Sequence, residues 1–269
     1  MQSYYHSTRH EVLVTVLQHR YQQMHVLLWE RGLAPEAGKW SLPGGTLGCQ
    51  EDVETSARRQ LAEKVDVQEI AHLEQLSVFS DPARMPTERV VATTFLGLVP
   101  TTADPALPPD TAWFPAAALP ELSFDHKHIV AAALSRLAAK LSYTNIAFAL
   151  APTEFALSTL RDIYSAALER PVDATNLARV LGRRGVLVPT GRCVKSGGRP
   201  ATVYRFAERE LRVTDEFAVL RPPALKPRAG AERRRGGSGE EEHDSGAEEA
   251  RGDRDMDLGP GEADRRLSD

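Results

Sequence analysis

The hydrophobic period of this chain changes once, near Leu122, and a single chain with two periods must build two unlike parts. Upstream, the apolar residues come in short runs rich in β-branched side chains. Residues 10–18 and 24–31 are two such runs with a polar segment between them, and they read as a strand pair. Further strands are expected near 70–80 and 88–99, separated by the turn-forming Asp81-Pro82 and Pro86. One helical segment interrupts them. Residues 52–65 follow a Pro-Gly-Gly turn and place Val53, Ala57 and Leu61 four apart. Mixed strands around one such helix indicate an α/β (α+β) sandwich. Downstream of Leu122, Ile129, Ala133, Leu137 and Leu141 recur every four residues, and Leu157, Leu160, Tyr164, Ala167 and Leu168 mark a second apolar face. Asp173 is placed to cap a third helix running to about Arg184. Val186-Leu187-Val188, a Gly-rich polar stretch and Thr202–Phe206 then complete the order helix, helix, hairpin of a winged helix-turn-helix. The boundary is expected near 142–152, giving one domain over 1–150 and a second over 151–221.

Composition enters where the periodicity stops. Residues 228–269 carry 8 basic and 13 acidic residues and no aromatic one. Such a segment has too little apolar surface to fold alone, so 222–269 is expected to be a disordered charged tail. Its net charge of −5 exceeds the −4 of the whole chain. The acidity of the protein therefore belongs to the tail. Cys49 and Cys193 supply neither a disulfide framework nor a four-ligand zinc site. Met1 to His6 carries no apolar run of the kind a signal peptide needs, and no stretch approaches the ~20 apolar residues of a membrane span. The expected location is the cytoplasm.

The segment from Leu42-Pro43-Gly44-Gly45 to Val67 resembles the Nudix box. The family pattern is Gly, five residues, Glu, seven residues, then Arg-Glu-apolar-x-Glu-Glu-x-Gly-apolar. Here Gly45 precedes Glu51, and Arg59 follows, with Gln60-Leu61-Ala62-Glu63-Lys64-Val65-Asp66-Val67 completing the run. The resemblance implies metal ligands at the positions of Gln60, Glu63 and Lys64, which share one helix face. Three carboxylates would give that face a charge of −3, and these side chains sum to zero. The resemblance further implies a structural Glu51–Arg59 pair. The box thus keeps what shapes the fold and loses what binds metal, so no metal site and no catalytic residues are expected. The competing reading is an active Nudix hydrolase, an ADP-ribose pyrophosphatase with an accessory C-terminal domain. The family's glycine is Asp66 here, so the end of the helix is expected to differ.

Between Ala174 and Ala207 stand seven basic residues and no acidic one: Arg179, Arg183, Arg184, Arg192, Lys195, Arg199 and Arg205. A single-sign run inside a periodic segment is an electrostatic footprint for phosphate. Thr175, Asn176 and Arg179 fall near the N-terminal end of the third helix, the end that meets base edges when a helix-turn-helix docks. Asn pairs with adenine and Arg with guanine. Arg183 and Arg184 close the helix. Lys195, Arg199 and Arg205 belong to the wing, where phosphate or minor-groove contact is expected.

The two halves together resemble the Nudix-related transcriptional regulators of NAD metabolism, the NrtR family. The resemblance runs from about His10 to Phe206 and includes His72–Leu76, Asp81–Pro86, Arg89–Val91, Leu122–His126 and Gly198–Phe206. It implies a dimeric repressor of NAD biosynthesis or salvage genes on a palindromic double-stranded operator. Its Nudix-like domain would bind ADP-ribose or a related dinucleotide as effector, with no catalytic cofactor. Met85 stands where an acidic residue is common in the family. For such a nucleotide, Trp40, Phe79 and Phe124 are candidate stacking groups and Arg84 and Arg89 candidate phosphate partners. His126 and His128 near a helix start read as helix-entry hydrogen bonding, and Cys49 as a free thiol.

Overall fold

The computed structural model describes residues 8–194 and 200–215. The expected tail at 222–269 and the wing residues Lys195 and Arg199 lie outside the described residues. Strand β1 (Arg9–Arg20) is the axis of the first part. It pairs antiparallel with β2 (Gln23–Glu30) and parallel with β6 (Val90–Val99). On either side lie β3 (Trp40–Ser41) against β2 and β5 (His72–Phe79) against β6. The short β4 (Gly44–Thr46) adds to β1, and β7 (Thr111–Pro115) adds to β2, making seven strands.

Side chains alternate across a strand, and β1 is apolar on both faces. Val12, Val14 and Val16 enter one core with Ala57, Leu61 and Val65 of helix α1 (Val53–Val65). Leu13 and Leu17 enter the other, with Ile129, Ala133, Leu137 and Leu141 of helix α2 (His126–Tyr143). The sheet is therefore sandwiched between α1, which the sequence places among the strands, and α2, which lies downstream of the change in period. The β1–β2 hairpin turns through Tyr21 and Gln22, both at positive φ (47° and 62°), the conformation a two-residue hairpin favours.

Helix α1 begins where Asp52 accepts a hydrogen bond from the Thr55 N–H (2.7 Å). It ends on Asp66, which adopts the left-handed conformation at φ 50° while the Val67 N–H returns to the Leu61 carbonyl (3.2 Å). The helix thus stops with a left-handed residue although that residue is not glycine. Asp and Asn are the side chains that reach this region at least cost.

The second part follows α2 through a 3-10 turn (Ile146–Ala149) and strand β8 (Phe155–Ala156). Helices α3 (Leu157–Ala167) and α4 (Ala174–Arg183) come next, then β9 (Leu187–Val194) and β10 (Ala201–Phe206). The three strands form a separate sheet in the order β8-β10-β9. Leu160, Ile163 and Tyr164 of α3, Leu177 and Leu181 of α4, and Phe206 of β10 belong to the same core as α2 and Leu13. One continuous apolar core thus joins the sandwich to the winged helix. Among the described residues no helix is long and apolar enough to cross a membrane.

Candidate functional site

The Pro-Gly-Gly turn brings β4 onto β1 so closely that a Cβ on Gly44 would lie 2.2 Å from the Val12 carbonyl oxygen. Only glycine fits there. This places the Gly44 carbonyl over the last turns of α1. Glu51 and Arg59 brace the loop: Arg59 donates Nε to one Glu51 oxygen (2.9 Å) and Nη2 to the other (2.6 Å). Hydrogen bonds from Arg59 first, and from the Gly48 N–H second, hold the Glu51 carboxyl at about 2.

The three side chains at the metal-ligand positions face this loop with other partners. Gln60 is buried. With its amide turned to suit its neighbours, it donates to the Gly44 carbonyl (3.2 Å) and accepts from Arg59 (3.2 Å). Glu63 accepts from the remaining Arg59 nitrogen (3.0 Å). The Lys64 ammonium donates to the Gly44 carbonyl and sits 4.7 Å from the centre of the Trp29 ring. Burial pulls its pKa below the usual lysine range, with Arg31 and Arg59 adding to the effect against the pull of Glu11 and Glu63. No group of three or more His, Cys, Asp or Glu among the described residues is arranged to hold a metal ion.

Lys64 opens onto a cavity of about 430 Å³ whose wall also carries Arg9, Glu11, Arg31, Asp110 and His126. Glu11 is paired with Arg84 (3.3 Å), and Arg9 with Glu88 (3.0 Å). Arg31 stands 5.0 Å from the Phe124 ring centre and donates to the Pro35 carbonyl (3.3 Å). Neither Arg31 nor Lys64 has a carboxylate within ion-pair distance among the described residues. His126 Nδ1 accepts from the Leu42 N–H (3.1 Å), and burial, helped by Arg84 and Arg31 against Asp125, depresses its pKa to about 3. It is a neutral wall group and a helix-entry acceptor at once.

The five residues expected to meet a ligand are distributed differently. Arg84 is buried and clamped to Asp125 through two hydrogen bonds (3.0 and 2.9 Å) and to Glu11. Arg89 donates to the Ser80 carbonyl (2.9 Å), Trp40 packs edge-on against Phe114 (4.5 Å), and Phe79 packs against the core. None of these four lines the cavity, and Phe124 reaches it only through Arg31 and His126. Arg9, Arg31, Trp29 and Asp110 were not singled out from the sequence. They come from strand ends and loops far apart in the chain, and no local pattern marks them.

On the winged helix, Asp173 caps α4 by accepting from the Asn176 N–H (2.7 Å). Leu177 and Leu181 are buried, while Thr175, Asn176, Arg179 and Arg183 are exposed. Arg179 donates to the Asn176 side-chain oxygen (2.6 Å), so these two are held as a pair. Arg205 is exposed on β10. Arg192 is paired with Glu154 (2.7 Å). Arg184 departs from the expected DNA-facing role: its guanidinium donates inward to the Ser142 carbonyl (2.7 Å) and to Asp215 (2.9 Å). It is half-buried and ties the end of α4 to the end of α2.

A sandwich of this topology with a box of this spacing, sharing its core with a winged helix, defines a NUDIX-fold protein joined to a DNA-binding module. Residues 8–133 match the NUDIX domain and residues 147–206 match the NrtR DNA-binding winged helix domain. The ADPR responsive transcriptional repressor NtrR of Acinetobacter baylyi is 29% identical over 192 residues, covering 69% of this chain and 76% of that protein. The crystal structure of Shewanella oneidensis NrtR complexed with a 27mer DNA is 28% identical with a TM-score of 0.63, over 73% of this chain and 92% of that one. A MutT/nudix family protein from Enterococcus faecalis shares the fold at 22% identity and a TM-score of 0.59, over 77% of this chain and 89% of that one. The chain thus combines a NUDIX domain with an NrtR-type DNA-binding winged helix domain and is similar over most of its described length to NrtR regulators.

Proposed function

We propose that this protein is a transcriptional repressor that binds a palindromic operator as a homodimer and senses ADP-ribose or a related NAD-derived nucleotide through a NUDIX domain that does not hydrolyse it. Its targets in this reading are NAD biosynthesis or salvage genes. The observation that carries the proposal is the exposed, acid-free face of α4, with Asn176 and Arg179 held as a pair on an NrtR-type winged helix. Thr175, Asn176 and Arg179 read bases. Arg183 and Arg205, with Lys195 and Arg199 of the wing, meet phosphate. The effector assignment draws on the ADPR-responsive relative and on the cavity, whose Arg31 and Lys64 suit a phosphate-bearing ligand. The sensor spans 1–150, the reader 151–221, and 222–269 is a charged tail.

What supports binding without hydrolysis is the donor set. A hard divalent cation needs oxygen ligands, preferably anionic. Of the three positions, one is an amide, one an ammonium, and the third a carboxylate bonded to Arg59. An ammonium beside a dication costs about 4 kcal/mol per unit-charge pair at ~4 Å and an effective dielectric of ~20. These residues do not fit the metal that the fold family implies. The test is a mobility shift on DNA upstream of candidate NAD genes, with and without ADP-ribose, beside an assay for AMP release with Mg²⁺ or Mn²⁺. Retarded DNA released by ADP-ribose, with no AMP formed, is the expected result. Metal-dependent AMP release at an enzymatic rate overturns the non-hydrolytic reading, and failure to retard any such DNA overturns the repressor reading.

A further inference from the structure

The lost metal site is not an empty position. A cation stands in it. Lys64 comes from the last turn of α1 and lies on the cavity wall. Its ammonium carries three donors, of which the Gly44 carbonyl takes one. Its one other direct partner among the described residues is the Trp29 ring, whose face attracts a cation without neutralising it. The two acidic groups that act on it are bonded elsewhere, Glu11 to Arg84 and Glu63 to Arg59. Desolvating a half-buried ammonium that has no carboxylate within ion-pair distance carries a cost. That cost is not needed to hold the fold, because Gln60 already donates to the same Gly44 carbonyl. Arg31, also without a carboxylate within ion-pair distance, shares the wall, so two cations with no direct ion pair face one cavity, with Glu11 and Asp110 the acidic groups on the same wall.

We propose that Lys64 is a ligand-binding residue: its ammonium takes the diphosphate of the nucleotide effector in place of a divalent metal, so that effector binding is metal-independent. The proposal rests on the reading of the cavity as the effector site. A lysine is suited to this as a compact point charge with donors to spare. Phosphate oxygens would complete its hydrogen bonds and remove the cost of burying it unpaired, while Arg31 adds a second charge to the same group.

The test is calorimetric titration of the full chain with ADP-ribose and, separately, with inorganic pyrophosphate, in EDTA and in Mg²⁺, for wild type, Lys64→Met and Lys64→Arg. Thermal melting of each protein is measured alongside. Wild type is expected to bind both probes equally well in EDTA and Mg²⁺. Lys64→Met keeps the apolar stem over Trp29 and loses the charge. It is expected to bind roughly 10- to 100-fold more weakly, the effect of one charge-assisted hydrogen bond, at an unchanged or higher melting temperature. Lys64→Arg is expected to recover part of the loss. Unchanged affinity in Lys64→Met, or wild-type binding that requires Mg²⁺, overturns the proposal while leaving the effector site in place. A lower melting temperature in Lys64→Met with unaltered affinity makes Lys64 a brace and also overturns it. Wild type that binds pyrophosphate through Lys64 but ignores ADP-ribose upholds the anion site and overturns the choice of effector. Wild type that binds neither overturns both.

Discussion

Replacing Arg84 with Met separates two roles that the sequence alone left merged. Its side chain is 1% exposed and bonds Asp125 twice and Glu11 once. Methionine preserves much of the stem and removes the charge, leaving two carboxylates facing each other across the vacated guanidinium. Removing one partner of a buried ion pair costs about 3–5 kcal/mol, most of it the penalty of the charge left behind. Glu11 and Asp125 are 15% and 17% exposed, so some water reaches them, which puts the cost near the lower bound, about 3 kcal/mol. For a folded unit of this size, 1 kcal/mol moves the melting temperature by about 2–4 °C, so Arg84→Met should melt about 6–12 °C below wild type. The loss should shrink when Glu11→Gln and Asp125→Asn are combined with it, because the stranded charges are then gone. The assay is calorimetric or circular-dichroism melting at neutral pH, with ADP-ribose titrated at a temperature where every variant is folded. A melting temperature within 2 °C of wild type, together with lost ADP-ribose affinity, would show that Arg84 belongs to the ligand and not to the frame.

Glu74 lies among His72 (2.8 Å), Lys140 (2.6 Å) and Arg136 (3.4 Å). Burial pushes its carboxyl up, but the bonds from His72 and Lys140 outweigh it and hold it at about 2. Its folded pKa lies below its unfolded one, so its stabilisation is present above about pH 4.5 and is lost as the pH falls toward 2; Glu74→Gln should flatten that part of a melting-temperature curve. Arg179→Ala and Asn176→Ala should each cost about 1–3 kcal/mol of discrimination at particular base pairs. Because the two are hydrogen-bonded, the double variant should cost less than the sum, and fluorescence anisotropy on operator and scrambled duplexes reads both effects. Arg184→Ala cuts the tie between α4 and the Ser142 carbonyl; it should leave ADP-ribose affinity unchanged while reducing the shift in operator affinity that ADP-ribose produces, measured by titrating DNA with and without the nucleotide.

The parts of this fold that declared themselves in the sequence are those whose partners can be ignored. The Val12, Val14, Val16 alternation needs only a sheet with two covered faces, and the four-residue repeat of α2 needs only an apolar neighbour. Asp173 caps its helix through a bond three residues away, as its position predicts. Strand β7 is not legible in the sequence because it is five residues long and takes its register from β2, some 85 positions earlier. The polar segment between the first two runs locates the β1–β2 turn but not its form, since Tyr21 and Gln22 take positive φ with neither glycine nor asparagine to signal it.

The cavity was legible only as chemistry. Arg84 carries the charge a phosphate wants, but Asp125 and Glu11 stand 41 and 73 residues from it, and the fold brings them close enough to hold it. Arg184 belongs to the same acid-free run as Arg179 and Arg183, yet Ser142, 42 residues away, turns it inward. In each case the sequence lists a cation, and long-range pairing decides whether that cation is free for a ligand. Lys64 shows the opposite outcome. By the pattern of the box it stands at a ligand position, and the lack of a carboxylate within ion-pair distance, shared by Arg31 on the same wall, is what leaves its charge open to a ligand in the reading proposed above. The two ends of α2 carry these outcomes to both sites. His126 lines the cavity and adjoins the Asp125–Arg84 clamp, while the Ser142 and Tyr143 carbonyls, about 25 Å along the helix, receive Arg184, Thr214 and Asp215 beside the end of α4. A rigid helix bonded at both ends lets an event at one site bias the other without a flexible linker, provided the ligand prefers one of two arrangements of that helix.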